Sequence, residues 1–445
     1  MRKLKWLRQA LLGGAALSVV ATGAQADELA TVKAQLEALQ SRVNQLETAP
    51  APTLPAGTKL LTVRRGQGNY ATNAMMRPSD QLMQNQGYTI AITPTADMPA
   101  PVSEVTVSGE IRVRLLFDDV EITGVTDADI DLDADDFGTL TTPFESDEVV
   151  GFDDNDFNIK TRARLNVQGR TETAIGEIGG RIRLQGATGG GDDGEVELNI
   201  GWGYWQMTPD FQFAGGYWDS LAAVQAGWDW NGEPSLIGLD SGLTNQSVSQ
   251  FRLTYSSGPL TIAASLEDND EGDLPAVAGA IVYDSGSFLL TASAIWEEED
   301  DSSFLDTEDN WFVGAGAVVR LSDMFRLEGA AGMGEGYEHA SYVTETTDEN
   351  DFEFWGANVL AVVSFAEAMR VELGFAYSNL DHEADELTNE ADAIDIAWTA
   401  GASLFWDPVD QLTLGWGVGF TRKESEDGDA EYDSLNAGFG AWFRF

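Results

Sequence analysis

From Glu104 to the C-terminus the chain alternates apolar and polar positions in twos. In 105–115 the odd positions are Val105, Val107, Gly109, Ile111, Val113 and Leu115, against Thr106, Ser108, Glu110, Arg112 and Arg114. In 156–170, Phe157, Ile159, Ala163, Leu165 and Val167 oppose Lys160, Arg162, Arg164, Asn166 and Gln168. In 175–185, Ile178, Ile182 and Leu184 oppose Glu177, Arg181, Arg183 and Gln185. A period of two predicts strands with one apolar and one polar face. The last run sets Leu435, Ala437, Phe439, Ala441, Phe443 and Phe445 against Ser434, Asn436, Gly438, Gly440, Trp442 and Arg444.

Further strands are predicted near 195–207, 210–218, 248–256, 259–267, 277–284, 286–297, 310–321, 324–335, 351–365, 368–380, 393–406 and 409–421, sixteen in all. Their connections alternate in length. Short turns fall at Thr171-Glu172, Thr208–Asp210, Ser256–Pro259, Asp284–Gly286, Ser322-Asp323, Ala366-Glu367 and Asp407-Pro408, with residues suited to turns. Long polar loops fall at 118–155, 186–194, 219–247, 268–276, 298–309, 336–350, 381–392 and 422–432. Long loops at one end and turns at the other fit an all-β, sixteen-stranded antiparallel transmembrane β-barrel with a wet lumen. A soluble sandwich has no reason to sort its loops this way. Trp202, Tyr204, Tyr217, Tyr255, Trp311, Phe325, Tyr377, Trp398, Trp406, Trp416, Phe439 and Phe445 fall on the apolar face, many near strand ends where interfacial girdles sit.

The residues before the barrel follow other rules. Arg2, Lys3, Lys5 and Arg8, an apolar stretch from Ala10 to Ala21 and Ala24-Gln25-Ala26 read as a signal peptide over 1–26. In 27–48, Leu29, Val32, Leu36, Leu39, Val43 and Leu46 are spaced three and four apart, the seam of a short α-helical coiled coil. A lone helix so short is marginal, so it calls for partner copies; packing on its own barrel is the other reading. Residues 49–103, broken by prolines, read as a periplasmic linker, with local strands open at 60–63 and 88–92.

The chain of 445 residues carries a formal charge of −49, which sets it against nucleic acid, whose phosphates need a basic surface. There is no cysteine, hence no disulfide framework and no thiolate metal site. Asp127–Asp136 starts like a calcium loop, but Leu132 and Gly138 stand where Gly and Glu are needed. Looser divalent binding by loop 118–155, or bridging to lipopolysaccharide phosphates, stays open beside the plain reading of a solvated acidic loop. His339 and His382, the only histidines, fall in predicted loops. No catalytic residue, metal site or cofactor is expected, and no enzyme.

Loop 219–247 differs from the other loops: Leu221, Val224, Trp228, Trp230, Leu236, Ile237 and Leu239 suit an inward fold against the barrel wall. Strand count, the terminal Phe445, this loop between the fifth and sixth strands, T-R-A-R-L-N-V-Q-G-R-T at 161–171 and G-G-Y-W-D-S-L at 215–221 resemble the general porins of Gram-negative outer membranes, in particular the trimeric alphaproteobacterial type. The likeness covers roughly 104–445; the coiled-coil stub is similar to that of stalked trimeric porins. There is no Pro-Glu-Phe-Gly-Gly-type loop motif.

The resemblance implies an outer-membrane channel for passive diffusion of small hydrophilic solutes and ions. Its constriction would set acidic loop residues Asp219, Asp229, Glu233 and Asp240 against a basic ladder of Arg112, Arg114, Arg162, Arg164, Arg181, Arg183 and Arg252. The alternation independently turns these arginines to the lumen, since a charge on the lipid face costs about 2–4 kcal/mol near the midplane. Structural pairing with Glu110, Glu177 and Glu197 is the competing reading. Fourteen acids without Lys or Arg in loop 118–155 favour cations. The expected partners are outer-membrane lipid and lipopolysaccharide, two further copies in a homotrimer, and peptidoglycan through residues 27–48. A substrate-selective channel, or a structural tether from outer membrane to cell wall, is the alternative function.

Overall fold

The computed structural model describes residues 60–66, 76–93, 103–124, 152–189, 192–232, 236, 243, 247–268, 274–298, 310–335, 352–382, 396–424 and 430–445, all within one compact unit. The signal peptide 1–26 and coiled-coil helix 27–48 expected from the sequence lie outside these residues.

Sixteen antiparallel strands carry the wall: β3 (Ser103–Gly124), β4 (Phe152–Thr173), β5 (Gly176–Gly189), β6 (Asp192–Gln206), β7 (Phe211–Asp219), β8 (Ser247–Ser257), β9 (Leu260–Glu267), β10 (Ala276–Asp284), β11 (Phe288–Glu297), β12 (Asn310–Ser322), β13 (Phe325–Glu335), β14 (Phe352–Ala366), β15 (Met369–His382), β16 (Ile396–Val409), β17 (Leu412–Glu424) and β18 (Ala430–Arg444). Each pairs with the next, and β18 pairs with β3 from Ala430↔Gly124 to Arg444↔Glu110, closing the barrel. Phe445 completes the closure. Its N–H donates to Gly109 O at 3.0 Å, and the Gly109 N–H donates to Phe445 O at 2.7 Å. A Cβ on Gly109 would sit 2.5 Å from the Phe445 ring, so glycine there makes room for the terminal aromatic.

The barrel is inside-out relative to a soluble core. In β3, Val105, Val107 and Ile111 are exposed while Thr106, Ser108, Glu110 and Arg112 are buried. In β9, Ile262 and Leu266 face out while Ser265 and Glu267 face in. An apolar outer face around a polar interior is what period-two strands give when lipid lies outside and water inside.

Local departures have identifiable causes. The first turn lies at Ala174-Ile175, not at Thr171-Glu172, because Thr173 pairs with Gly176, whose φ of +116° glycine adopts readily. β3 and β4 each run 22 residues, so the backbone stays paired into the segment read as loop 118–155, as in Glu121↔Asp153. In β6 the register against β5 slips between Arg183↔Ile200 and Leu184↔Leu198, leaving Asn199 as an extra residue. Such a bulge inverts the alternation beyond it. Val196 and Leu198 are exposed, but Ile200, Trp202 and Tyr204 are buried. Trp202 and Tyr204, assigned by periodicity to the outer girdle, therefore point inward. Trp202 packs edge-on against Trp218 at 5.1 Å.

A hairpin precedes the barrel: β1 (Leu60–Arg65) pairs with β2 (Tyr88–Thr93), and the short helix α1 (Pro78–Gln86) lies between them in sequence. β2 pairs with the start of β3, from Tyr88↔Val107 to Ile92↔Ser103. The pairing of the C-terminal strand along β3 stops at Gly109, so β2 takes over the β3 edge that would otherwise be unpaired. The predicted local runs 60–63 and 88–92 fall within β1 and β2.

Candidate functional site

The inner wall has two chemistries. On β3, β4 and β5 the inward positions carry Glu110, Arg112, Arg114, Arg162, Arg164, Arg181 and Arg183. Arg112 stands directly opposite Arg162, and Glu110 opposite Arg164. Two guanidiniums face to face repel, and Glu110 relieves this. It accepts from Arg112 Nη2 at 3.1 Å and Arg444 Nε at 3.1 Å, and lies 4.0 Å from Arg162 Nη2. Arg164 donates to Gln185 Oε1 at 2.6 Å. Of the other two acids expected as structural partners, Glu177 takes Arg170 and the Tyr204 hydroxyl, and Glu197 accepts from Gln185.

From β10 to β16 many inward positions are small or apolar instead, among them Ala278, Ala280, Phe312, Gly314, Gly316, Ala330, Gly374 and Phe405, with Glu328, Asn358 and Glu372 as polar exceptions. The segment after β7 packs along this wall, with Leu221–Val224, Ala226 and Trp228 all buried. Leu221 N–H donates to Glu267 Oε1 at 3.0 Å, and Ser293 Oγ donates to Ala222 O at 2.7 Å. Gly227 N–H donates to Glu328 at 3.3 Å, and Trp228 N–H to Asn358 Oδ1 at 2.8 Å. Asn231 of the single turn α2 (Trp228–Asn231) also donates to Glu328. Glycines of the wall leave the space. A Cβ on Gly314 would strike Val224, one on Gly374 would strike the Trp228 indole, and one on Gly440 would approach Leu236. Residues 221–228 of the loop are thus held on the wall by polar residues whose only sequence signal was an inward position on a strand. Leu236 reaches β18 against Trp442, whose ring lies 5.4 Å from the Arg112 guanidinium.

The remaining site candidates are placed as follows. Arg252 on β8 is tied to the loop root, donating to Asp219 O at 2.7 Å and Gln250 Oε1 at 2.8 Å, and stacks 5.2 Å from the Trp202 ring. Asp219 closes β7 and accepts from Ser247 Oγ at 3.3 Å. The Asp229 side chain, Glu233 and Asp240 lie outside the described residues.

Sequence reasoning missed a third component. α1 sits inside the barrel, against the basic wall. Asp80 accepts from Arg183 Nη1 at 2.5 Å and Arg181 Nη2 at 3.2 Å. Burial pushes the Asp80 carboxyl up, but the guanidiniums of Arg183, Arg181, Arg164 and Arg77 outweigh it and hold the carboxyl well below the usual carboxylate range. Arg77, the residue before α1, lies 3.4 Å from Asp219 Oδ2 and 4.9 Å from the Trp230 ring. Met76 joins the buried cluster of Ile200, Trp202, Tyr204, Ala214 and Trp218. The available signal was Pro78-Ser79-Asp80, a proline at the first helical position followed by an acid in the first turn.

No protein-family model matches the chain, and no curated protein matches it by sequence. Solved structures do. OmpF of Salmonella typhi, in complex with daunomycin, superposes with a TM-score of 0.54 at 12% identity, over 77% of this chain and 98% of that one. The anion-selective porin from Comamonas acidovorans gives 0.50 at 13% identity, over 77% and 100%. A triple mutant of the Rh. blastica porin gives 0.45 at 17% identity, over 77% and 100%. At such identities the likeness to the first two is one of fold: this chain is a closed sixteen-stranded β-barrel of the porin architecture.

Proposed function

We propose that the chain is a porin of a Gram-negative outer membrane, forming a water-filled channel for passive diffusion of small hydrophilic solutes and ions, with cations preferred. The observation that carries this reading is the inversion of the wall: apolar side chains outside, and inside a basic wall facing a long loop folded into the lumen. Barrels of this strand number enclose an aqueous path rather than a filled core. Charged walls at a narrowing are how wide pores select ions. The arginines favour anions locally. The overall charge of −49 and the acid-rich segment 118–155 oppose them.

The same reading gives a homotrimer, with β3–β5 and β18 at its axis. Their outward residues are mostly small or aliphatic, including Val107, Gly109, Ile111, Ala163, Leu165, Val167, Ile182 and Ala441, with Phe117, Phe157 and Phe443 as exceptions. Trp311, Trp398 and Tyr217 on other strands suit a lipid interface. The heptad segment 27–48 would then pair with its copies in the other two chains, and peptidoglycan would be its further partner. Purified protein in planar lipid bilayers should give stepwise conductance in potassium chloride; a folded protein that produces no steps contradicts the reading.

A further inference from the structure

We propose that α1 and its flanking residues 76–87 form a built-in insert that covers both the basic wall and the acidic loop root beside it and, with the long loop, sets the channel's bore and charge selectivity; this rests on the porin reading above. Three observations carry it. First, the insert is seated inside, not beneath, the barrel: Asp80, Met83 and Gln84 are buried, and a Cβ on Gly87 would strike Ser108 on the inner face of β3. Second, its charges are opposite to those they meet. The Asp80 carboxylate lies on the Arg181 and Arg183 guanidiniums, and the Arg77 guanidinium lies on Asp219 at the loop root. The insert therefore neutralises, group by group, the charge that the basic wall and the loop root would otherwise present to the lumen. Third, it is anchored at both ends in the barrel. The side-chain amides of Gln411, in the last short turn, and Gln86 meet at 2.8 Å, and Met76 packs against Trp202 and Trp218. The outward side of α1, with Gln81, Leu82 and Asn85 exposed, is left to line the remaining path.

Opposed charges make the test directional. Asp80→Asn uncovers the basic wall and should move the reversal potential in a potassium chloride gradient toward anion selectivity. Arg77→Gln uncovers Asp219 and should move it toward cations. Each should change the permeability ratio by roughly twofold to fivefold, the scale of one unit charge acting through water at contact distance. Asp80→Glu should restore most of the unmodified behaviour. A second measurement avoids any folding defect. The chain has no cysteine, so in Gln81→Cys a trimethylammonium methanethiosulfonate reagent has one target. Its addition during recording should lower the single-channel current, while the unmodified protein should not respond. Normal channels in which neither charge variant shifts selectivity and the labelled Gln81→Cys protein conducts unchanged would overturn the insert while leaving the porin reading intact. Absence of channels in the unmodified protein would overturn both.

Discussion

Asp80 lies between two guanidiniums on the wall, and a carboxylate so placed keeps its charge to unusually low pH. Its folded value is depressed, so its contribution to stability is full above the unfolded value of about 4 and is lost as pH falls below it. Asp80→Asn leaves Arg181 and Arg183 buried without their shared counter-ion, a change that costs about 3–5 kcal/mol at other buried pairs. The expected outcome is a lower unfolding temperature for the variant in detergent, by a margin constant from pH 8 to pH 5 and shrinking below pH 4. A margin that does not change with pH would show that the carboxylate charge is not what holds α1. Asn199 is a second residue whose effect is out of proportion to its size. Deleting it should remove the bulge in β6 and turn Trp202 and Tyr204 outward, away from Met76, Trp218 and Glu177. Loss of the heat-resistant folded form on a gel is the predicted readout.

The inward loop is fastened by few polar contacts and much close packing. Asn358→Ala removes the acceptor of the Trp228 N–H, and an unsatisfied buried donor costs about 1–3 kcal/mol. Gly374→Val would put a side chain where the Trp228 indole lies. Both variants should keep the barrel but loosen the loop, seen as protease cleavage within 219–247 that the unmodified protein resists; equal resistance would mean that the loop is held elsewhere. That this segment is apolar enough to pack on a wall was legible from Leu221, Val224 and Trp228. Which wall was not, because much of the receiving surface is Gly and Ala spread over several strands, and small residues carry no periodic signal. The same holds for α1: nine residues with a weak apolar stripe in a proline-broken stretch read as linker, and only the ion pairs of Asp80 and Arg77 across the fold reveal its seat. The bulge at Asn199 was hidden for a different reason, since an uninterrupted run of alternation looks the same whether or not its phase shifts.

At the scale of the molecule, sixteen strands and their connections were readable because every strand repeats one pattern and turns differ in length between the two ends. Closure follows from the pairing of β18 with β3. Assembly is a separate matter. Ile111 and Leu165 are exposed on the outer face of β3 and β4, so Ile111→Arg with Leu165→Arg should convert a trimer to monomers in detergent, by light scattering, without loss of the barrel's circular dichroism. A monomer for the unmodified protein would contradict the trimer. The central claim is that this barrel encloses a charged aqueous path, and single-channel recording in a salt gradient tests it most directly. The account predicts discrete conductance steps whose reversal potential favours cations at low salt, where the Debye length of about 30 Å lets the acidic surface act at a distance. An electrically silent, correctly folded protein would contradict it.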